Sequence, residues 1–259
     1  MPYSGDQPSG AVMARGLGIG MALAITFAAN AIMAQTPVVT EKFAVRDGFA
    51  FAPETPPRIL VFRPEIKIGE QTTAGLFQNN AEWHATATRE LSAALVAMGD
   101  TRGIEMVLHD DQPADNPLMA EHRALFRLVV GTIIRHKLFS KDPLPSKIGS
   151  FDWSLGGGIA KIAPAAKADY GLFLLSHDSF ETAGRRAAKL VAALMGNGDI
   201  AGTHFGYAAL VDLKNGDIVW LGVDLKAGGD VRTAEGAAQR VEQLLNGFPA
   251  RASGKAVAR

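Results

Sequence analysis

Lys167-Ala168-Asp169-Tyr170-Gly171-Leu172-Phe173-Leu174-Leu175-Ser176-His177 opens the stretch on which the fold turns. Tyr207-Ala208-Ala209-Leu210-Val211-Asp212-Leu213-Lys214-Asn215-Gly216-Asp217-Ile218-Val219-Trp220-Leu221 closes it. The first segment reads as an apolar strand over 170–176. The second reads as two β-branched and aromatic runs joined at Asn215-Gly216. Both of these residues tolerate the positive φ of a two-residue type I′ turn, so the segment predicts a β-hairpin. Between them an amphipathic helix is expected. Asp178 or Ser179 would cap it, Ala183, Ala187, Leu190, Val191 and Leu194 form its apolar stripe, and Gly196-Asn197-Gly198 ends it. Its basic face, Arg185, Arg186 and Lys189, reads as solvated.

Working outward, Arg58-Ile59-Leu60-Val61-Phe62-Arg63 is a proline-bounded strand, and Pro64 to Gln78 reads as a loop. Trp83, Ala87, Leu91, Ala94, Leu95 and Met98 share one stripe of a helix over 80–98 that Gly99 should end. A short strand, Ile104 to Leu108, follows. A long apolar helix then begins near Pro117, capped by Asp115 or Asn116, and runs to about Phe139. Charged residues along one face, among them Glu121, Arg123, Arg127 and Arg135, mark it as a core helix, not a membrane helix. The Gly156-Gly157-Gly158 run lacks a Gly-Lys-Ser/Thr ending and reads as a flexible or closely packed connector. A last helix spans 233–246, with Thr233 as its cap. Strands separated by helices imply parallel pairing, and the hairpin adds an antiparallel pair. The expected class is therefore α/β: one three-layer domain with a mixed sheet flanked by helices.

Residues 1–34 have the make-up of a signal peptide, with Arg15 ahead of an apolar run from Leu17 to Ala29 and small residues at Ala31 and Ala34 for cleavage. Met13 fits as an alternative start. The expected location is periplasmic, the alternative being an inner-membrane anchor formed by residues 17–34. The expected organisation continues with an extended arm at 35–57, the α/β domain at 58–248 and a tail at 249–259. Phe43, Phe49 and Phe51 place three aromatics in the arm, so it should dock on something, and they are candidates for facing a partner. With no cysteine among 259 residues, an exported chain must hold together through its core alone. A net charge of zero gives no support to nucleic-acid binding.

Three landmarks carry a resemblance: Ile59-Leu60-Val61-Phe62-Arg63-Pro64, the passage from Ile159 to Gly171 through Ala168-Asp169-Tyr170, and the hairpin Leu210 to Trp220. In this order they resemble the α/β domain of the curli secretion component CsgG and related envelope lipoproteins, and more distantly the N-terminal domain of TolB. The resemblance implies an exported, non-enzymatic module for envelope assembly, secretion or activation, with envelope proteins as partners. The acylated cysteine of those lipoproteins is missing here. A free edge of the hairpin would also suit pairing with a second copy in a homo-oligomer. Membrane contact is then peripheral, or made through an uncleaved leader.

No cofactor, metal ligand set or catalytic group is assigned. The alternative is a metal-assisted hydrolase or small-ligand binder built on His109, Asp110, His177 and Asp178. These are two His-Asp pairs at strand ends, which would emerge on one edge of the sheet if the two strands are parallel neighbours. Ser176-His177-Asp178 is too local to be a hydrolytic triad, whose members meet from separate segments.

Overall fold

The apolar runs form strands buried on both faces, and those strands build an eight-stranded mixed sheet. The structure is a computed structural model, and it describes residues 41–52, 55–72, 74–109, 117–138, 143–162, 167–182 and 203–250. All of these belong to one contact unit, Val39–Arg259. The strands are β1 (Glu41–Val45), β2 (Arg58–Phe62), β3 (Glu65–Gln71), β4 (Phe77–Asn79), β5 (Glu105–His109), β6 (Tyr170–Glu181), β7 (Thr203–Asp212) and β8 (Ile218–Asp224). The order is β1-β8-β7-β6-β2-β5, and β3 takes over from β2 alongside the far half of β6. β2 pairs in parallel with both β5 and β6, β3 runs parallel to β6, and β6-β7-β8-β1 are antiparallel.

Helices α1 (Ala81–Arg102) and α3 (Ala234–Leu244) cover one face. Their Leu91, Leu95, Ala237, Val241 and Leu244 pack on Ile59, Val61, Leu172, Leu174, Leu210 and Trp220. Helix α2 (Pro117–Ile133), with the segment from Phe151 to Ile162, covers the other. There Met119, Phe126 and Val130 meet Leu60, Phe62, Phe173, Tyr207 and Ala209. Alternate residues of β6 therefore enter different cores, which is why its sequence shows no polar alternation. The expected three-layer α/β arrangement holds.

Several boundaries differ from the sequence reading. Pro64 to Gln78 is not a loop: Ile66 and Ile68 alternate with Glu65 and Lys67 and form β3. The period-two pattern was present but short and charged. Helix α1 is capped by the Asn80 side chain, which accepts from the Trp83 amide, and it runs through Gly99 to a left-handed Gly103. Gly99 sits where a Cβ would meet Met106 and the Ile104 carbonyl, so it serves packing against β5. β6 continues to Glu181, so Asp178 and Ser179 are strand residues, not helix caps. The helix expected at 183–194 lies outside the described residues, as do the leader, Asp110 and residues 251–259.

The hairpin loop is longer than a two-residue turn. The Gly216 amide donates to the Asp212 carbonyl, and only Gly216 (φ 81°) is left-handed there. The carboxylate of Asp212 and the amide oxygen of Asn215 accept from the backbone of Lys214 and Asp217, holding a four-residue loop, Leu213 to Gly216. The Gly156 segment packs directly on it, with the Leu155 amide bonded to the Gly216 carbonyl at 2.8 Å. That contact accounts for the glycine run as a connector.

The sheet begins inside the stretch read as an arm. β1 occupies the outer side of β8, so the hairpin edge is filled by the chain itself and is not open to a second copy. Of the arm aromatics, Phe51 is enclosed by the core, and Phe49 is partly buried against it. Phe51 is buried, and the pair packs edge-on against each other and Tyr170 with centroids 5.4 to 5.7 Å apart. Phe43 stays half-exposed over Gly247.

Candidate functional site

β6 is the longest strand, and its far half carries the polar chemistry. Because strand residues alternate, Ser176, Asp178 and Phe180 face α1 and α3, while His177 faces the opposite side. Asp178 is fully buried and meets Arg240 of α3, also fully buried. The guanidinium donates to the two carboxylate oxygens at 2.8 and 3.1 Å, to Ser176 Oγ at 2.6 Å, and to the carbonyls of Gly228 and Gly229. His204 of β7 completes the cluster, its Nδ1 2.9 Å from Asp178 Oδ1. Burial alone would raise the Asp178 carboxyl. The hydrogen bonds from His204, Arg240 and Ser176 and the Arg240 charge outweigh it and hold the group below the usual carboxylate range. Every oxygen of that carboxylate is engaged within the fold, so the cluster anchors α3 to the sheet.

Beside it, Arg232 lies between the rings of Trp83 and Phe180, 4.2 and 4.0 Å from their centroids, and pairs with both carboxylate oxygens of Asp230. Those hydrogen bonds lower the Asp230 pKa. The pair ties the start of α3 to the start of α1 through cation–π contact.

Of the four sequence-derived site residues, Asp110 lies outside the described residues, and His109, His177 and Asp178 do not converge. Asp178 is in the buried cluster. His177, on the other face, is stacked between Phe77 and Phe205 with centroids 5.3 and 4.9 Å away, and burial, first among the causes, pushes its pKa down. His109 ends β5, paired with Phe62 of β2. The β2–β6 register aligns Val61 with Leu172, which puts His177 four residues further along β6 than the level of His109. At about 3.3 Å per residue that is ~13 Å along the strand, with β2 also lying between. Among the described residues, no group of three or more His, Asp or Glu side chains is placed to hold a metal ion.

A different feature emerges at the sheet edge. β5 ends level with Phe62, and β4 pairs with β3 only from Gly69 onward, so a notch opens along Arg63 to Ile68. His84 of α1 borders it on one face, and Ala120, Arg123 and Arg127 of α2 border it on the other. The notch has a volume of about 560 Å³ and an apolar floor of Pro64, Ile66 and Leu175. This is the size of a small-molecule site. It lies beyond the carboxyl ends of the parallel strands β2 and β5, where open α/β sheets commonly place their ligands.

Four cationic side chains line the notch, Arg63, Lys67, Arg123 and Arg127, against one carboxylate, Glu65. Arg127 pairs with Glu65 at 2.6 Å, and the buried Arg123 lies 3.5 Å from it while donating to the Arg63 carbonyl at 2.9 Å. Burial, then the Arg63 charge, lowers the His84 pKa. The Tyr207 hydroxyl is pushed up to about 12 by burial and, secondarily, by Glu65.

Sequence reasoning missed both arrangements. Arg240 had a signal: it falls on the apolar stripe Ala237-Arg240-Val241-Leu244, and a charge inside such a stripe calls for a buried partner. Arg123, expected on the charged face of this helix, is buried, and so is the neighbouring His122. The exposed side of α2 carries Leu125 and Leu128 together with Glu121 and Arg127.

No family model matches the chain, and no curated protein sequence matches it. Among solved structures, it is similar to the PelC dodecamer from Paraburkholderia phytofirmans, with 12% identity, 82% of this chain and 99% of that chain covered, and a TM-score of 0.40. A variant of that dodecamer in a second crystal form gives 11% identity, the same coverage and a TM-score of 0.39. The LpoB C-terminal domain from Salmonella enterica gives 14% identity over 66% of this chain and 84% of that chain, with a TM-score of 0.26. At scores of this size the likenesses carry no argument about role. Neither PelC nor LpoB is the curli component or TolB, the likeness expected from the sequence.

Proposed function

We propose that this chain is an exported, non-enzymatic module of the bacterial envelope that acts by binding another protein. The observation that carries the reading is the outer edge of β5. This strand ends the sheet order, and among the described residues no strand pairs with its outer side. It presents Leu108 half-exposed beside a hollow of about 230 Å³ that includes Val61, Thr88 and Ser92. An extended segment can add to such an edge through main-chain hydrogen bonds while seating a side chain in the hollow. The opposite end of the sheet is less open, because Lys42 of β1 donates to the Leu138 carbonyl. Export rests on the leader-like residues 1–34. No helix of the described residues is long and apolar enough to cross a membrane.

Expression of the full chain with N-terminal sequencing of the envelope fraction tests export, which predicts a mature start at Ile32 or Gln35. Crosslinking with mass determination tests the contact. The reading expects a complex of defined stoichiometry, with an envelope protein or with further copies, that Leu108→Lys disrupts while the far-edge variant Phe43→Lys does not. A monomer at all concentrations, or a complex indifferent to Leu108→Lys, would refute the β5 edge as the contact.

A further inference from the structure

We propose that the notch at Arg63 to Ile68 binds an oxyanion, a carboxylate or phosphate group, for which the Glu65 carboxylate is the internal stand-in. The chain has no net charge, yet this wall gathers four cationic side chains around one carboxylate. Glu65 sits between Arg123 and Arg127, at 3.5 and 2.6 Å, as an incoming oxyanion would. Arg123 is buried and fixed by its bond to the Arg63 carbonyl, so one half of the cradle is built into the fold. Arg127 has a side chain 43% exposed, and Lys67 is exposed on the same rim, so the other half can reach a solute. The planar guanidinium of Arg127 suits a carboxylate or phosphate held by two hydrogen bonds, and the Lys67 ammonium adds a point charge beside it. His84 adds a donor or acceptor across the mouth. Burial and, second, the Arg63 charge lower its pKa, in keeping with the cationic lining.

Binding would exchange one carboxylate for another group at Arg127 and would weaken as salt rises, since the rim is solvated. The site is independent of the partner reading, because a small oxyanion binds here whether or not β5 carries a protein.

The test titrates the full chain at low ionic strength, by calorimetry and amide NMR, with inorganic phosphate, pyrophosphate and a tri-glutamate peptide. Saturable binding is expected, with shifts centred on Lys67 and Arg127. Glu65→Gln should tighten it several-fold, and Lys67→Glu or Arg127→Gln should weaken it about tenfold, as loss of a charge-assisted contact does. Preference for pyrophosphate assigns a phosphate-bearing ligand, and preference for the peptide assigns a carboxylate. Binding that does not saturate, or that ignores both Lys67→Glu and Arg127→Gln, means an adventitious ion only and overturns the proposal. Lys67 is exposed, so its variant reads binding without a folding defect.

Discussion

Arg240→Met is the substitution that tests the buried cluster most directly. In the native chain the guanidinium is fully buried and serves Asp178, Ser176, Gly228 and Gly229. Methionine fills similar volume but leaves a buried carboxylate held only by Ser176 and His204 and leaves the Gly228 carbonyl without its donor. Removing one member of a buried ion pair costs about 3–5 kcal/mol. Each orphaned buried carbonyl adds ~1 kcal/mol, though these terms do not sum independently. A loss of ~4 kcal/mol is a large share of the about 5–15 kcal/mol that holds a domain folded. Urea unfolding followed by fluorescence is the assay, since Trp220 is buried in the same core as α3. The double variant Arg240→Met with Asp178→Leu should recover most of the loss, because the desolvation cost then disappears with both charges. A cost below ~1 kcal/mol for Arg240→Met, or a double variant as unstable as the sum of the two singles, would refute the account of this pair as the anchor of α3.

Acid should expose the same group. The folded pKa of Asp178 lies below its ordinary value, so the stability it contributes is present above the unfolded value of about 3.9 and is lost as pH falls through the lower folded value. Asp178→Asn should flatten the pH dependence of unfolding in that acid window while lowering stability at neutral pH. Phe51→Ala should cost about 3–5 kcal/mol in thermal or urea unfolding, and Phe43→Ala ~1 kcal/mol or less, because only Phe51 is in the core. Equal effects would return the arm to the role of a tether. Gly216→Ala should destabilise by at least ~2 kcal/mol, since the position is left-handed and an added Cβ would run into the Gly156 carbonyl. A neutral result in the same assay would show that the hairpin loop can relax.

Much of the scaffold was legible along the chain because local chemistry and tertiary environment agree there. Asn80 and Thr233 cap helices as their residue types require, and Pro117 begins one. The apolar runs Ile59 to Phe62 and Leu172 to Leu175 are strands because they are buried on both faces. The loop around Asn215-Gly216 was placed correctly but given the wrong length, since Asp212 and Asn215 side chains close a wider turn than that dipeptide alone prefers.

What the linear order could not decide is which strand edges meet. The hairpin edge is filled by β1, whose partner β8 is far along the chain, and the arm aromatics find Tyr170 and Phe248 by the same folding-back. His109 and His177 would meet only if their strands were neighbours, but β2 lies between them and the register offsets them. Arg240, Asp178 and His204 come together from one helix and two strands, and Glu65, Arg123 and Arg127 from one strand and one helix. Residue type and local period determine where helices, caps and strands lie, because those depend on near neighbours. Pairing, register and the meeting of charges depend on contacts distant in sequence, and only the folded sheet sets them.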